Sequence, residues 1–501
     1  MPGRRGAFII VIYLARLCPI QRGLPMQTAA TATIGSLAGL ASSMMQEYDY
    51  FPEVRGRIPL ELEGTLYRNG PGRFELGGAR KRHLLDGDGM IQAFDFAQGR
   101  VRYRNRFVRT RKYQAEQDAG RFVMPTWTTR APGGMVRNVG NKIRSQAGVT
   151  VTLKNDCLYA FDEVGLPYGL DPDTLETWGE RQVGPAGMHI DYKAHTKTDG
   201  RSGQWLLLGV EHGPRTWLDL VVRDRYGRQL SHQRVASPRP SYIHDWFFTE
   251  RHVVILLHPV ELSLPRFLSG LASFTDSLQW RPQKGNMVVV LDRAGAGSPV
   301  FLETDACFMW HSLNAFELGD SIVADFVGYS APDHFLGEKA AFRMIMEGRS
   351  GLEQNKGMLR RYIINMPRKC LAQDSLSEEN HEFPMVDPDV AGYRHRFGHF
   401  TTAPGATVFH NGLARVDMDN GRREAIFVDD AAHLGEPVFV RDPLSAAEQG
   451  WLLTLGLDAL TGRSFLAIFR SDRLSDGPFA RVLLTHSTPL SFHGYWHDRH
   501  D

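Results

Sequence analysis

The sequence has few cysteines, no long apolar run and almost no net charge. Its four cysteines (Cys18, Cys157, Cys307 and Cys370) are scattered through 501 residues, with no Cys-x-x-Cys pair. That argues against a thiolate metal site and a disulfide framework, and favours a reducing compartment. No stretch reaches the roughly 20 apolar residues that span a bilayer. A net charge of +2 offers no strong field for nucleic acid. There is no Walker A loop, no Gly-x-Gly-x-x-Gly after a strand and no Gly-x-Ser-x-Gly, so the commonest phosphate-binding and serine-nucleophile chemistries lack their signatures. No WD-type or Kelch-type repeat is present either.

What is present is short strands. Apolar or alternating runs at 101–109, 205–210, 252–258, 287–291, 322–327, 359–364, 407–416, 425–428, 437–441, 451–455, 465–469 and 481–485 are punctuated by Gly, Pro, Asn and Asp, the residues that turns require. Such a pattern predicts an all-β sandwich, barrel or propeller. Helical candidates are few: 36–46, 340–346 and 445–449.

Four histidines lie far apart, each in its own motif: Ala194-His195-Thr196-Lys197, Tyr242-Ile243-His244-Asp245-Trp246, Met309-Trp310-His311-Ser312-Leu313-Asn314 and Ser491-Phe492-His493-Gly494-Tyr495-Trp496. Neutral imidazole is a good ligand for first-row transition metals, and four on a rigid frame leave coordination positions open. His189, His212, His258, His395, His399 and His410 read as structural residues, and His497 as a solvated one. Asp86-Gly87-Asp88-Gly89 lacks the remaining oxygen ligands of a calcium loop and reads as a tight turn.

The company of these motifs is specific. Leu66-Tyr67-Arg68-Asn69-Gly70-Pro71-Gly72, Asp86-Gly87-Asp88-Gly89-Met90, Glu163-Val164-Gly165-Leu166-Pro167-Tyr168, Glu382-Phe383-Pro384 and Gly435-Glu436-Pro437-Val438 fall in order around the histidines. From about Tyr48 to His497 the chain resembles the carotenoid cleavage oxygenases, most closely the bacterial apocarotenoid oxygenases. The resemblance implies a seven-bladed β-propeller, capped on one face by loops and short helices, as one domain over 48–501. It implies one Fe(2+) per chain held by His195, His244, His311 and His493, with Glu163, Glu382 and Glu436 orienting the rings and O2 as co-substrate. The implied reaction is oxidative cleavage of a carbon–carbon double bond in a hydrophobic polyene, giving carbonyl products. Stilbene cleavage and non-catalytic polyene binding are the alternatives.

Three positions depart from the family pattern, and the last two concern the substrate. Thr196 replaces a proline of the family pattern. Asp162 stands where stilbene-cleaving relatives carry a lysine. Val149 falls in Gly148-Val149-Thr150-Val151 where others have Asn-Thr-Asn. The apolar segment from Leu262 to Phe274 reads either as an amphipathic element at a tunnel mouth that dips into one leaflet or as core. A cytoplasmic, peripherally membrane-associated protein is expected. Residues 1–47 read as an extension. Within it, Arg4-Arg5 and the apolar run from Phe8 to Ala15 look like a short signal peptide, which leaves export open, or precede a true start at Met26.

Overall fold

The computed structural model describes residues 34–140, 143–349, 351, 353–429, 432–445 and 447–499. The signal-like run therefore lies outside the described residues. Seven antiparallel sheets of four or five strands follow one another along the chain. Each is a blade, and together they form the expected seven-bladed propeller, with few and short helices.

One strand of each blade faces its counterparts around the ring. These are Thr150–Lys154, Lys197–Thr198, Phe247–Phe248, Phe308–Leu318, Asn380–Met385, Ala432–Arg441 and His493–Asp498. Blades stacked on both sides bury both faces of their middle strands. His252–Leu257 and Trp205–Glu211 accordingly read as continuous apolar runs, as two-sided burial requires. Farther out, Arg100–Phe107 alternates exposed arginines with buried Val101, Tyr103 and Phe107, the period-two pattern of a half-covered strand.

The ring closes through its ends. His493–Asp498, the last strand, pairs with Gly64–Arg73 from the start of the domain, with Asn69 opposite His493 and Arg68 opposite Gly494. Glu53–Gly56 adds to the outer edge of the preceding blade. Part of the stretch expected as an extension packs on this closure. A 3-10 helix at Ile34–Ala41 buries Leu37, Leu40 and Ala41 against Leu457, Leu490 and Phe492.

Three expected elements differ. The run 407–416 is a strand only over Gly412–Asp417; ahead of it, Val408 is buried in a loop whose N–H donates to Glu353. The expected helix at 445–449 is turns around its described residues, because Asp442 accepts from Leu444 N and Ser445 Oγ. An unexpected helix at Arg111–Ala119 is capped by the Thr110 hydroxyl and by Gly120 in the left-handed region.

Residues 262–274 divide between the two readings. Leu262 and Phe274 are buried in a cluster with Tyr242, Trp310 and Phe335, and Phe267 packs half-buried against it. The helix Leu264–Leu268 exposes Leu268, and Leu271 follows exposed. Met135, Val136 and Val139 are exposed beside them, tied by a Gly140 N–H to Leu268 carbonyl bond of 2.9 Å. No helix among the described residues is long and apolar enough to cross a membrane.

Candidate metal centre

All four motif histidines reach the ring axis. His195 and His244 sit just before the inner strands Lys197–Thr198 and Phe247–Phe248, His311 lies within Phe308–Leu318, and His493 opens the last strand. One ring nitrogen from each lies within 4.8 Å of the other three. His244 Nε2 is 3.1 Å from His195 Nε2 and 3.3 Å from His311 Nε2. Two nitrogens bound at right angles to one ion, each about 2.1 Å from it, lie about 3 Å apart. The cluster therefore has the dimensions of a metal site. The other histidines named above are outside it, and His189 is exposed, 3.4 Å from Asp191.

Three of the rings are held from behind. Nδ1–H of His244 donates to Glu163, that of His311 to Glu382 at 2.6 Å and that of His493 to Glu436 at 2.8 Å. A bond at Nδ1 fixes the tautomer and leaves the Nε2 lone pair facing inward. All three glutamates are buried rather than surface residues. Among the described residues His195 has no carboxylate partner. Its peptide is fixed instead: Thr150 Oγ1 donates to the Ala194 carbonyl at 2.6 Å and Trp246 Nε1 to the His195 carbonyl at 2.8 Å.

Burial, reinforced by the neighbouring imidazoles, pushes His195 and His244 well below the ordinary histidine range. Burial also lowers His493, against the pull of Glu436. At neutral pH these rings are uncharged, which is the form that ligates. Burial lowers His311 too, but Glu382 outweighs it and holds the ring above its ordinary value. Burial raises Glu163 despite Lys193; in Glu382 and Glu436 the same burial is overcome by His311 and His493, leaving both below the usual carboxylate value.

Two buried cations complete this shell. Lys193 Nζ is 3.0 Å from Glu163 and Arg68 is 3.1 Å from Glu436. Three carboxylates thus meet two cations, and the remaining negative charge favours a cation in the cage. Below the ligands, Lys197 Nζ bridges Asp245 at 2.6 Å and Ser312 Oγ at 3.0 Å. The sequence reading missed these partners. Lys193 was detectable: it lies two residues before His195, on the same side of an extended chain. Gly494 is required by close approach, since a Cβ there would meet Arg68 Cδ at 2.7 Å and Val438 Cγ2 at 2.8 Å.

Above the histidines a narrow cavity of about 60 Å³ opens. Its walls include Leu85, Trp127, Val149, Trp310, Phe342 and Phe492, and among the described residues neither lysine nor arginine lines it. The Asp86–Asp88 turn is structural: Asp86 accepts from Thr128 N, and Asp88 pairs with Lys112 and Arg73.

The profile of the family described as retinal pigment epithelial membrane protein matches residues 42–498. The chain belongs to this family, within the carotenoid oxygenase superfamily. It is similar to the apocarotenoid-15,15'-oxygenase of Synechocystis, 30% identical over 468 residues, 91% of this chain and 94% of that one. Similar too is the isoeugenol monooxygenase of Pseudomonas nitroreducens, 28% identical over 90% of this chain and 95% of that one. The crystal structure of cobalt-substituted Synechocystis ACO superposes with a TM-score of 0.87 at 29% identity, covering 93% of this chain and 98% of that one. The chain is an oxygenase of this superfamily.

Proposed function

We propose that this oxygenase is a non-haem Fe(II) dioxygenase that cleaves one double bond of a carotenoid or apocarotenoid into two aldehydes. One iron per chain would be held by His195, His244, His311 and His493. The observation that carries the reading is the cluster of four inward nitrogens, three backed by Glu163, Glu382 and Glu436. When bound, Fe(II) supplies the activation of dioxygen. The relatives named for apocarotenoid and isoeugenol oxygenation support the reaction class.

The chain's own residues have three tasks in this reading. The glutamates keep each Nε2 aimed at one point. The apolar walls exclude water, so that reactive species are not quenched. The same walls hold an alkene in a near-attack position. A lining without lysine or arginine favours an uncharged polyene over a phenolate. The exposed Met135, Val136, Val139, Leu268 and Leu271 support peripheral contact with a lipid surface.

The test is aerobic incubation of iron-loaded protein with apocarotenals, carotenoids and stilbenes, followed by mass identification of products. Paired aldehydes from a polyene are expected. Cleavage of stilbenes alone overturns the substrate class, and no cleavage by protein containing one iron per chain overturns the activity.

A further inference from the structure

The cavity holds only about 60 Å³, a few waters' worth. Admitting a polyene therefore means that some walls part while others stay. One wall, Trp127, is held by a buried carboxylate that carries no cation. Trp127 lines the cavity and donates its indole N–H to Asp162 Oδ1 at 3.1 Å. Asp162 is 3% exposed, and the same carboxylate accepts from Glu163 N at 2.7 Å through Oδ1 and from Gln146 N at 2.7 Å through Oδ2. All three donors are neutral N–H groups, and Asp162 has no ion pair among the described residues. A buried carboxylate without a cation is costly unless its hydrogen bonds are needed. An ionised carboxylate accepts at both oxygens, whereas an amide would turn an N–H against one of these donors.

The far side of Trp127 is fixed as well. Its carbonyl accepts from Thr275 N and Oγ1, both at 3.0 Å, and its ring meets Phe274 edge-on at 4.9 Å. Trp127 thus stands between the histidine cluster and the segment that carries Leu268 and Leu271.

We propose that Asp162 is a positioning residue that locks Trp127 as the fixed wall against which the polyene registers, and so decides which double bond is cut. This inference rests on the proposed polyene-cleaving function. Neighbouring double bonds of a conjugated chain are chemically alike, so selection between them is geometric. A wall free to turn lets the chain slide by one conjugated unit.

The experiment compares the parent with Trp127→Phe, Asp162→Ala and the double variant, all iron-loaded, on one all-trans apocarotenal in detergent. Trp127→Phe keeps the ring and removes the N–H. Each single variant is expected to yield products shifted by one conjugated unit and to raise KM by about tenfold, the size set by one lost hydrogen bond, with iron content at the parent level. The double variant should be no worse than Trp127→Phe alone. Asp162→Leu, nearly isosteric and without an acceptor, replaces Asp162→Ala if the latter does not fold. Independently of turnover, the Trp127 indole N–H, identified in nitrogen-labelled protein by its loss in Trp127→Phe, should exchange slowly in the parent and fast in the Asp162 variant. An unshifted product from an active Asp162 variant, an effect that persists undiminished in the Trp127→Phe background, or unchanged exchange overturns the proposal. A parent that cleaves no polyene overturns the reading beneath it.

Discussion

Arg68 grips Glu436 twice through one nitrogen: Nη1 donates to the carboxylate at 3.1 Å and to the backbone carbonyl at 3.0 Å. The side chain is fully buried, with Ser491 Oγ on its Nε at 3.1 Å. Burial lowers the affinity of this guanidinium for its proton, and Glu436 restores part of it. Arg68 lies on Gly64–Arg73, near the start of the domain, and Glu436 and Ser491 on or near its last inner strands. The pair thus ties the glutamate behind His493 to the ring closure.

Arg68→Met strands a buried carboxylate. It is expected to destabilise the fold by about 3–5 kcal/mol, the cost of breaking a buried pair from one side. Denaturant unfolding measures this, and a loss below about 1 kcal/mol contradicts the role.

Replacing any of His195, His244, His311 or His493 with Ala should abolish activity and strongly reduce bound iron, read by metal analysis of the purified protein. Full activity in His311→Ala sinks the ligand assignment. Chelation of the parent should lower its unfolding temperature, because an ion bound only by the folded state stabilises it.

Glu163→Gln, Glu382→Gln and Glu436→Gln should each lower iron affinity or activity by about 10–100-fold. Glu163→Gln and Glu436→Gln also leave Lys193 and Arg68 without their carboxylates, so their unfolding midpoints should fall below that of Glu382→Gln. Three variants that behave as the parent would show that the rings need no support.

Acid should destabilise the protein already below pH 6.5. His258 and His410 are held down to about 4, and His399 and His433 to about 3, first by burial. Unfolded histidines take up protons from 6.5 downward, whereas these folded ones do not. Stability is therefore complete above pH 6.5 and declines as pH falls toward 4. Glu353, raised to about 7 by burial, acts in the opposite sense but is a single group. Melting temperatures that stay flat between pH 6.5 and 5 refute this.

Leu268→Asp with Leu271→Asp should weaken flotation with liposomes while iron content stays at the parent level. Both side chains are exposed, so the fold should tolerate the change. Phe267, half-buried and 5.7 Å from the Phe274 ring, is the wrong site for such a probe. Unaltered flotation argues against this patch as the lipid contact.

The four histidines and three glutamates were legible because their motifs are local, and the blades because two-sided burial writes apolar runs. Partners that meet only in space were not. Nothing in the sequence links Asp162 to Trp127, and the motif Leu66-Tyr67-Arg68-Asn69 carries no sign that Arg68 is a counter-ion to Glu436. The stretch 407–411 misled because Val408 and Phe409 are apolar for packing against Phe342 and Leu490, not for a sheet. The helix Arg111–Ala119 had readable caps in Thr110 and Gly120, but its polar surface hid the buried Lys112 and Glu116.

His493 lies on the strand that closes the ring, far along the chain from His195, His244 and His311. A partly synthesised chain that stops short of His493 can present His195, His244 and His311 but not the fourth imidazole. The cage of four imidazoles is therefore complete only when the ring has closed. A truncation that removes only the final strand leaves six complete blades and an open cage.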